Sequence, residues 1–204
     1  HGVVEGLNAF EQQAFNLVLG KAPEAFDLKK EDPRTVSKYG GGLGNSMLMA
    51  RRLCEAGCGF VTLSYGGWDM HGNIANAMNG RGPVVDRAVS AFVDDVHQRG
   101  LSERILLVVT GEFGRTPKIN RNKGRDHWAP LSTLALAGGG LRMGQTVGES
   151  DAKAYRPKNN PVTPQDLMAM VFHVLGIDQG IQFINQGGRP VFMVENGKPI
   201  PSLV

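Results

Sequence analysis

Apolar residues recur along the chain at two spacings, and the switches between them predict its elements. Residues 8–19 read as an amphipathic helix, followed by a polar linker around "KAPEAFDLKKEDP". In "GLGNSMLMARRLCEAG" the apolar set Leu43, Met47, Met49, Ala50, Leu53 and Cys54 follows a helical stripe. Arg51 and Arg52 fall elsewhere on that wheel, and Gly57 stops it. "FVTLSY" at 60–65 reads as a strand. From Val85 a further helix is predicted, because Val85, Ala88, Val89, Phe92 and Val96 keep the i, i+3, i+4, i+7, i+11 stripe. Asp86, Arg87, Asp94 and Asp95 take its wet face, and Gly100 ends it. "RILLVVT" is a continuous apolar run, the mark of a strand covered on both faces. "STLALAG" at Ser132–Gly138 predicts a third strand. "VTPQDLMAMVFHVLG" carries a well-signalled helix, with Thr163 as N-cap, Pro164 at N1, Asp166 in the first turn and Gly176 past its end.

Strand, helix, strand in that order predicts a right-handed crossover with parallel strands. The long stretch from Thr110 to Ser132 shows no helical period, so the third strand is expected to return antiparallel. The expected fold class is α/β: a mixed, mostly parallel sheet flanked by helices, in a single domain, with residues 1–38 a preceding helix and linker. Ligands in such sheets bind beyond the carboxyl ends of the strands. Asp69 and His71 in "YGGWDMHGN" follow the first such end, and Glu112 in "TGEFGRT" follows the second. Asp126 and His127 in "GRDHW" then enter the third strand from the same rim.

This convergence gives the residues a chemistry. Asp69 and His71 lie two apart, so in an extended segment both side chains face one way. A carboxylate and an imidazole so placed suit a divalent metal such as zinc or manganese. Taken alone the pair is a turn aspartate and a surface histidine; Asp126 and His127 at the same rim favour the metal. Glu112 has three readings: a further ligand, a general base, or a cap on the strand end. Arg115, Lys118, Arg121, Lys123 and Arg125 fall within one loop that contains no acid. The lysines read as ordinary solvated surface. Arg115 and Arg125 abut the candidate ligands, and guanidinium forks match phosphate or sulfate oxygens in pairs. Metal beside arginines points to an anionic ester as substrate.

Composition narrows the choice. With 204 residues and 41% hydrophobic content the chain can build a proper core, and its net charge of +3 is too small to imply a nucleic-acid or membrane partner. The basic loop also lacks interleaved aromatics beyond Trp128, against nucleic acid. No apolar run reaches membrane-spanning length. Cys54 and Cys58 read as small core hydrophobes, since no second pair completes a metal clip. "YGGGLGN" lacks the Lys-Ser/Thr of a phosphate loop. The opening "HGVVEGLNAF", without Met or a signal-like segment, reads as processed or cut from something longer.

The motifs "ARRLCEAGCGFVTLSYGGWDMHGN", "GEFGRTPKIN", "GRDHW", "LALAGGGLRMGQTVGESDA" and "VTPQDL…VLGI", in this order, closely resemble domain of unknown function (DUF) family 1501. That family looks like a branch of the alkaline-phosphatase and sulfatase-like superfamily. The resemblance implies a metal-dependent hydrolase of phosphate or sulfate esters, with zinc, manganese, calcium or magnesium as cofactor. It implies metal ligation by Asp69, His71 and His127; Asp126 joins the candidates without a secure counterpart. Glu112 and Phe113 stand where the superfamily has Asp-His, which bears on a second metal. The superfamily's first strand, with its nucleophile, has no counterpart here. The chain is therefore expected to be a C-terminal portion whose partner is the missing N-terminal part of the same protein. A periplasmic or exported location is implied too. The rival expectation is a non-catalytic scaffold or complex subunit keeping at most a structural metal.

Overall fold

A computed structural model describes residue 11 and residues 22–204, so the helix expected over 8–19 lies, Glu11 apart, outside the described residues. Contacts divide the chain into two compact units. One comprises the described residues up to Gly67 with Met78–Arg99; the other comprises Trp68–Ala77 with Gly100–Val204.

The first unit is helical. Helix α1 (Ala22–Phe26) and a 3-10 turn (Leu28–Lys30) lead into α2 (Pro33–Tyr39), α3 (Leu43–Glu55) and most of α4 (Ile74–Gln98). Asp32 caps α2 by accepting from the Arg34 amide at 2.7 Å, with Pro33 as the first helical residue. The expected stripe on α4 is present: Ala88, Phe92 and Val96 are buried, as is Ala91. The helix starts earlier than expected, at Ile74, and carries Pro83 inside it. The structure runs the helix through "GRGP" at 80–83. Helix α3 buries Met47, Leu48 and Ala50, and also Arg51, which is only 1% exposed.

A buried guanidinium is tolerable only when paired. Arg51 meets Glu31 and Glu55 in short ion pairs. Asp95 Oδ2 lies 3.0 Å from Arg51 Nε, close enough for charge pairing though off the N–H axis. Arg52 reaches Glu31 at 3.1 Å, while Arg99 reaches Glu31 at 2.9 Å and Asp95 at 2.7 Å. The Tyr39 hydroxyl donates to Asp95 at 2.9 Å.

The second unit holds the strands. β1 (Leu106–Val109) pairs antiparallel with β4 (Ala135–Gly138), Leu106 opposite Gly138 and Val109 opposite Ala135. The third strand thus returns antiparallel, as expected. β2 (Gly114–Arg115) pairs with β3 (His127–Trp128), β5 (Glu149–Ser150) with β6 (Pro157–Asn159), and β7 (Gln182–Ile184) with β8 (Pro190–Phe192), all antiparallel. The core joins Leu106 and Leu136 of the β1–β4 pair to Met170 and Val174 of α5 (Pro164–Val174), and to Leu141, Ile200 and Leu203. Thr163 caps α5 in a reciprocal capping box with Asp166.

The expected sheet is not there. Among the described residues every strand belongs to a separate two-stranded antiparallel pair, and no parallel ladder exists. The mostly parallel α/β fold is therefore corrected to a mixed arrangement of helices and short hairpin-like pairs. The decisive segment is 60–65, which forms no ladder; its Phe60 is 67% exposed. Without that strand there is no crossover. β1 is also only half-buried along its length, unlike the doubly covered strand its apolar run predicts. Among the described residues no helix is long and apolar enough to cross a membrane.

Candidate metal centre

The site lies within the second unit, where two stretches distant in sequence are zipped together. The Asn73 amide donates to the Asn122 carbonyl and the Ile74 amide to the Lys123 carbonyl, both at 2.9 Å; the Arg125 amide donates to the Met70 carbonyl at 3.1 Å. Gly72 and Lys123 form an isolated antiparallel bridge. The turn before it is tight: the Met70 amide bonds the Trp68 carbonyl, and the His71 amide bonds the Asp69 carbonyl. Met70 points inward, 7% exposed, while Asp69 and His71 flank it on the open side. The two side chains meet across a tight turn and not along the extended segment that the i, i+2 spacing assumed.

On the other stretch, β2 and β3 fix His127 opposite Arg115. The loop between them, residues 116–126, is organised by Asn120. Its side-chain oxygen accepts from the Asn122 amide at 3.0 Å and the Gly124 amide at 2.9 Å; its Nδ2 donates to the His71 carbonyl and to Asp126 Oδ1, each at 3.0 Å.

Asp69, His71 and His127 converge, and one donor atom from each lies within 4.8 Å of the others. Asp69 Oδ1 is 2.9 Å from His71 Nε2 and 2.7 Å from His127 Nε2; the two Nε2 atoms are 3.2 Å apart. A cation bonded at about 2.1 Å holds neighbouring octahedral ligands about 3.0 Å apart. The triangle matches that spacing, and its two imidazoles and one carboxylate are ordinary ligands for a divalent ion. The residues fit a metal. All three are exposed, so the site opens to solvent.

Charge supports the same point. The Arg115 hydrogen bond, then that of His127, holds the Asp69 carboxyl well below the usual carboxylate range; Asp126 is lowered by its bonds from His71 and Asn120. Both acids are ionised at neutral pH.

The remaining candidates lie elsewhere. Asp126 is outside the triangle, with Oδ1 2.9 Å from His71 Nδ1. Arg115 Nη2 donates to Asp69 Oδ1 at 2.5 Å and to the Trp68 carbonyl at 3.2 Å, and its Nη1 to the Arg125 carbonyl at 3.2 Å. Arg125 Nη1 donates to the Thr116 and Pro117 carbonyls at 2.6 Å. Both guanidinium groups thus staple backbone. Glu112 is exposed and contributes no donor to the triangle, whereas its neighbour Phe113 lays its ring 4.6 Å from that of His127. Sequence reasoning missed Asn120 and the packing of Phe113 against His127. The spacing "NRNKG" signals an Asx turn that could have found Asn120; nothing local marks the Phe113 contact.

A family model described as "Protein of unknown function (DUF1501)" matches residues 3–204. The chain belongs to the DUF1501 family. No curated protein and no solved structure matches it. In this DUF1501 chain the matched segment spans every member of the donor cluster.

Proposed function

We propose that this DUF1501 chain holds one divalent metal ion on Asp69, His71 and His127 and contributes it to hydrolysis of a phosphate or sulfate ester. The observation that carries the reading is the solvent-open triangle of three donors. Structural zinc sites close with four protein ligands, whereas catalytic sites keep an open position. When bound, such an ion acts as a Lewis acid on an ester oxygen. Asp69 supplies the anionic ligand, His71 and His127 the neutral ones, and Arg115 holds Asp69 in place. The sulfatase-like finer assignment, and the exported, periplasmic setting that goes with it, rest on the resemblance of the motifs alone.

One observation favours a second reading, a metal-holding scaffold without turnover. Arg115 and Arg125, the arginines placed to grip an anion, are engaged with Asp69 and backbone carbonyls instead. Aryl phosphates and aryl sulfates, assayed with zinc or manganese added to metal-free full-length protein, separate the two. Turnover that needs metal supports the hydrolase; tight binding of one ion without turnover on either ester supports the scaffold. In both cases His71→Ala and His127→Ala should each lower metal stoichiometry from about one to near zero by elemental analysis. Unchanged stoichiometry in both variants would overturn the site.

A further inference from the structure

The sequence sets Asp126 among the metal ligands; the structure sets it behind one of them. His71 presents Nε2 to the donor triangle and turns Nδ1 to Asp126 Oδ1, 2.9 Å away. We propose that Asp126 is a positioning residue, which together with Asn120 fixes His71 in the Nδ1–H tautomer and keeps the Nε2 lone pair free for a cation. The inference rests on the metal-site reading above.

A neutral imidazole has one donor nitrogen and one acceptor nitrogen. An ionised carboxylate only accepts, and His71 faces one at each nitrogen, both at 2.9 Å. Asp69 Oδ1 already accepts from Arg115 at 2.5 Å and from His127 at 2.7 Å, so the ring proton goes to Nδ1 and Asp126. Nε2 is then the acceptor, the form in which imidazole binds metal. Without this second carboxylate the outcome reverses. Asp69 Oδ1 lies 2.9 Å from Nε2, and it would draw the proton there, blocking the ligand atom.

Asp126 is itself held. Asn120 Nδ2 donates to the same Oδ1 and also to the His71 carbonyl, both at 3.0 Å, so one amide spans the backbone and the side-chain partner of His71. The Asn120 oxygen accepts from the Asn122 and Gly124 amides, which settles which way that amide faces. The Asp126 amide donates to Thr116 Oγ1 at 3.1 Å. His127 differs: its Nε2 faces Asp69, and its ring packs beside Phe113. The effect of Asp126 is therefore directed at His71.

The test titrates zinc or manganese ions into metal-free wild type, Asp126→Asn, Asp126→Ala and Asp69→Ala, each as the full chain. Long-range proton–nitrogen NMR on metal-free protein at about pH 8 reads the His71 tautomer. Loss of such an orienting partner typically weakens metal affinity by about 10–100-fold. Asp126→Ala should keep one binding site but weaken it within that range, and should move the His71 proton to Nε2. Asp126→Asn retains an acceptor oxygen and should fall between it and wild type. Loss of the site in Asp126→Ala, as in Asp69→Ala, would make Asp126 a ligand and overturn the inference. Unchanged affinity and tautomer would overturn it as well. A wild type that takes up no metal overturns the metal-site reading instead, and the tautomer measurement still decides the part played by Asp126.

Discussion

A β-carbon added at Gly124 would overlap the carbonyl carbon of His71 and the nitrogen of Gly72. The obstruction is backbone, which cannot rotate away like a side chain. Gly124→Ala must therefore lift residues 122–125 off the 68–74 stretch or push His71 aside. Donor atoms 2.7–3.2 Å apart leave no room for such a shift. Overpacking of this kind costs about 1–3 kcal/mol. We expect Gly124→Ala to lower the unfolding midpoint and abolish metal uptake, as read by calorimetric titration. Gly72→Ala is the matched control, because its added carbon would meet nothing closer than the Asn122 carbonyl oxygen at 3.4 Å. It should bind metal like wild type. At this scale the acids and histidines were legible, since a loop carrying Asp69 and His71 is unusual cargo for a turn. Gly124 was not, because the backbone it meets lies about fifty residues away.

Among the elements, α5 shows why helices were more readable than strands: "RILLVVT" and "STLALAG" hold β1 and β4, but "FVTLSY" holds none. The start of α5 is encoded within four residues: the Asp166 amide donates to Thr163 Oγ1 at 3.2 Å, and the Thr163 amide to Asp166 Oδ2 at 2.8 Å. Asp166 also accepts from the Lys198 amide at 2.9 Å. Such local bonds follow from local sequence. Thr163→Ala should cost about 1 kcal/mol, seen as a lower denaturant midpoint with an unchanged slope, since Ala169 and Met170 of the same helix are fully buried in the core. Asp166→Ala should cost more, because it frees the Lys198 amide as well. A strand has no such internal closure. "FVTLSY" satisfies the apolar pattern of a strand, yet pairing depends on a neighbour the pattern cannot supply, and none of the described residues pairs with it. "STLALAG" was placed correctly because the missing helical period before it excluded a crossover, an argument about connection rather than propensity.

For the molecule as a whole, hydrophobic patterning misses a principal device of its helical unit. Arg51 is the largest fully buried side chain among the described residues. It had been set off the apolar stripe of α3, which is where a wheel puts it; what buries it is charge arriving from Glu31 and Asp95, 20 and 44 positions away. Burial alone would raise the Glu31 carboxyl. The bonds and charge of Arg51, with Arg52, outweigh burial and bring it down from 4.5 to about 2. A carboxyl lowered on folding stabilises the folded state above its unfolded value, and that stability disappears as pH falls through the folded one. The window here therefore runs from about pH 4.5 down to about pH 2. The linked contribution at neutral pH is about 3 kcal/mol. Glu31→Gln should accordingly be less stable than wild type at pH 7 by denaturant unfolding, with its deficit shrinking between pH 5 and pH 2 as wild type protonates Glu31 too. A variant whose deficit stays constant across that range would show that Glu31 acts through packing and not through its charge.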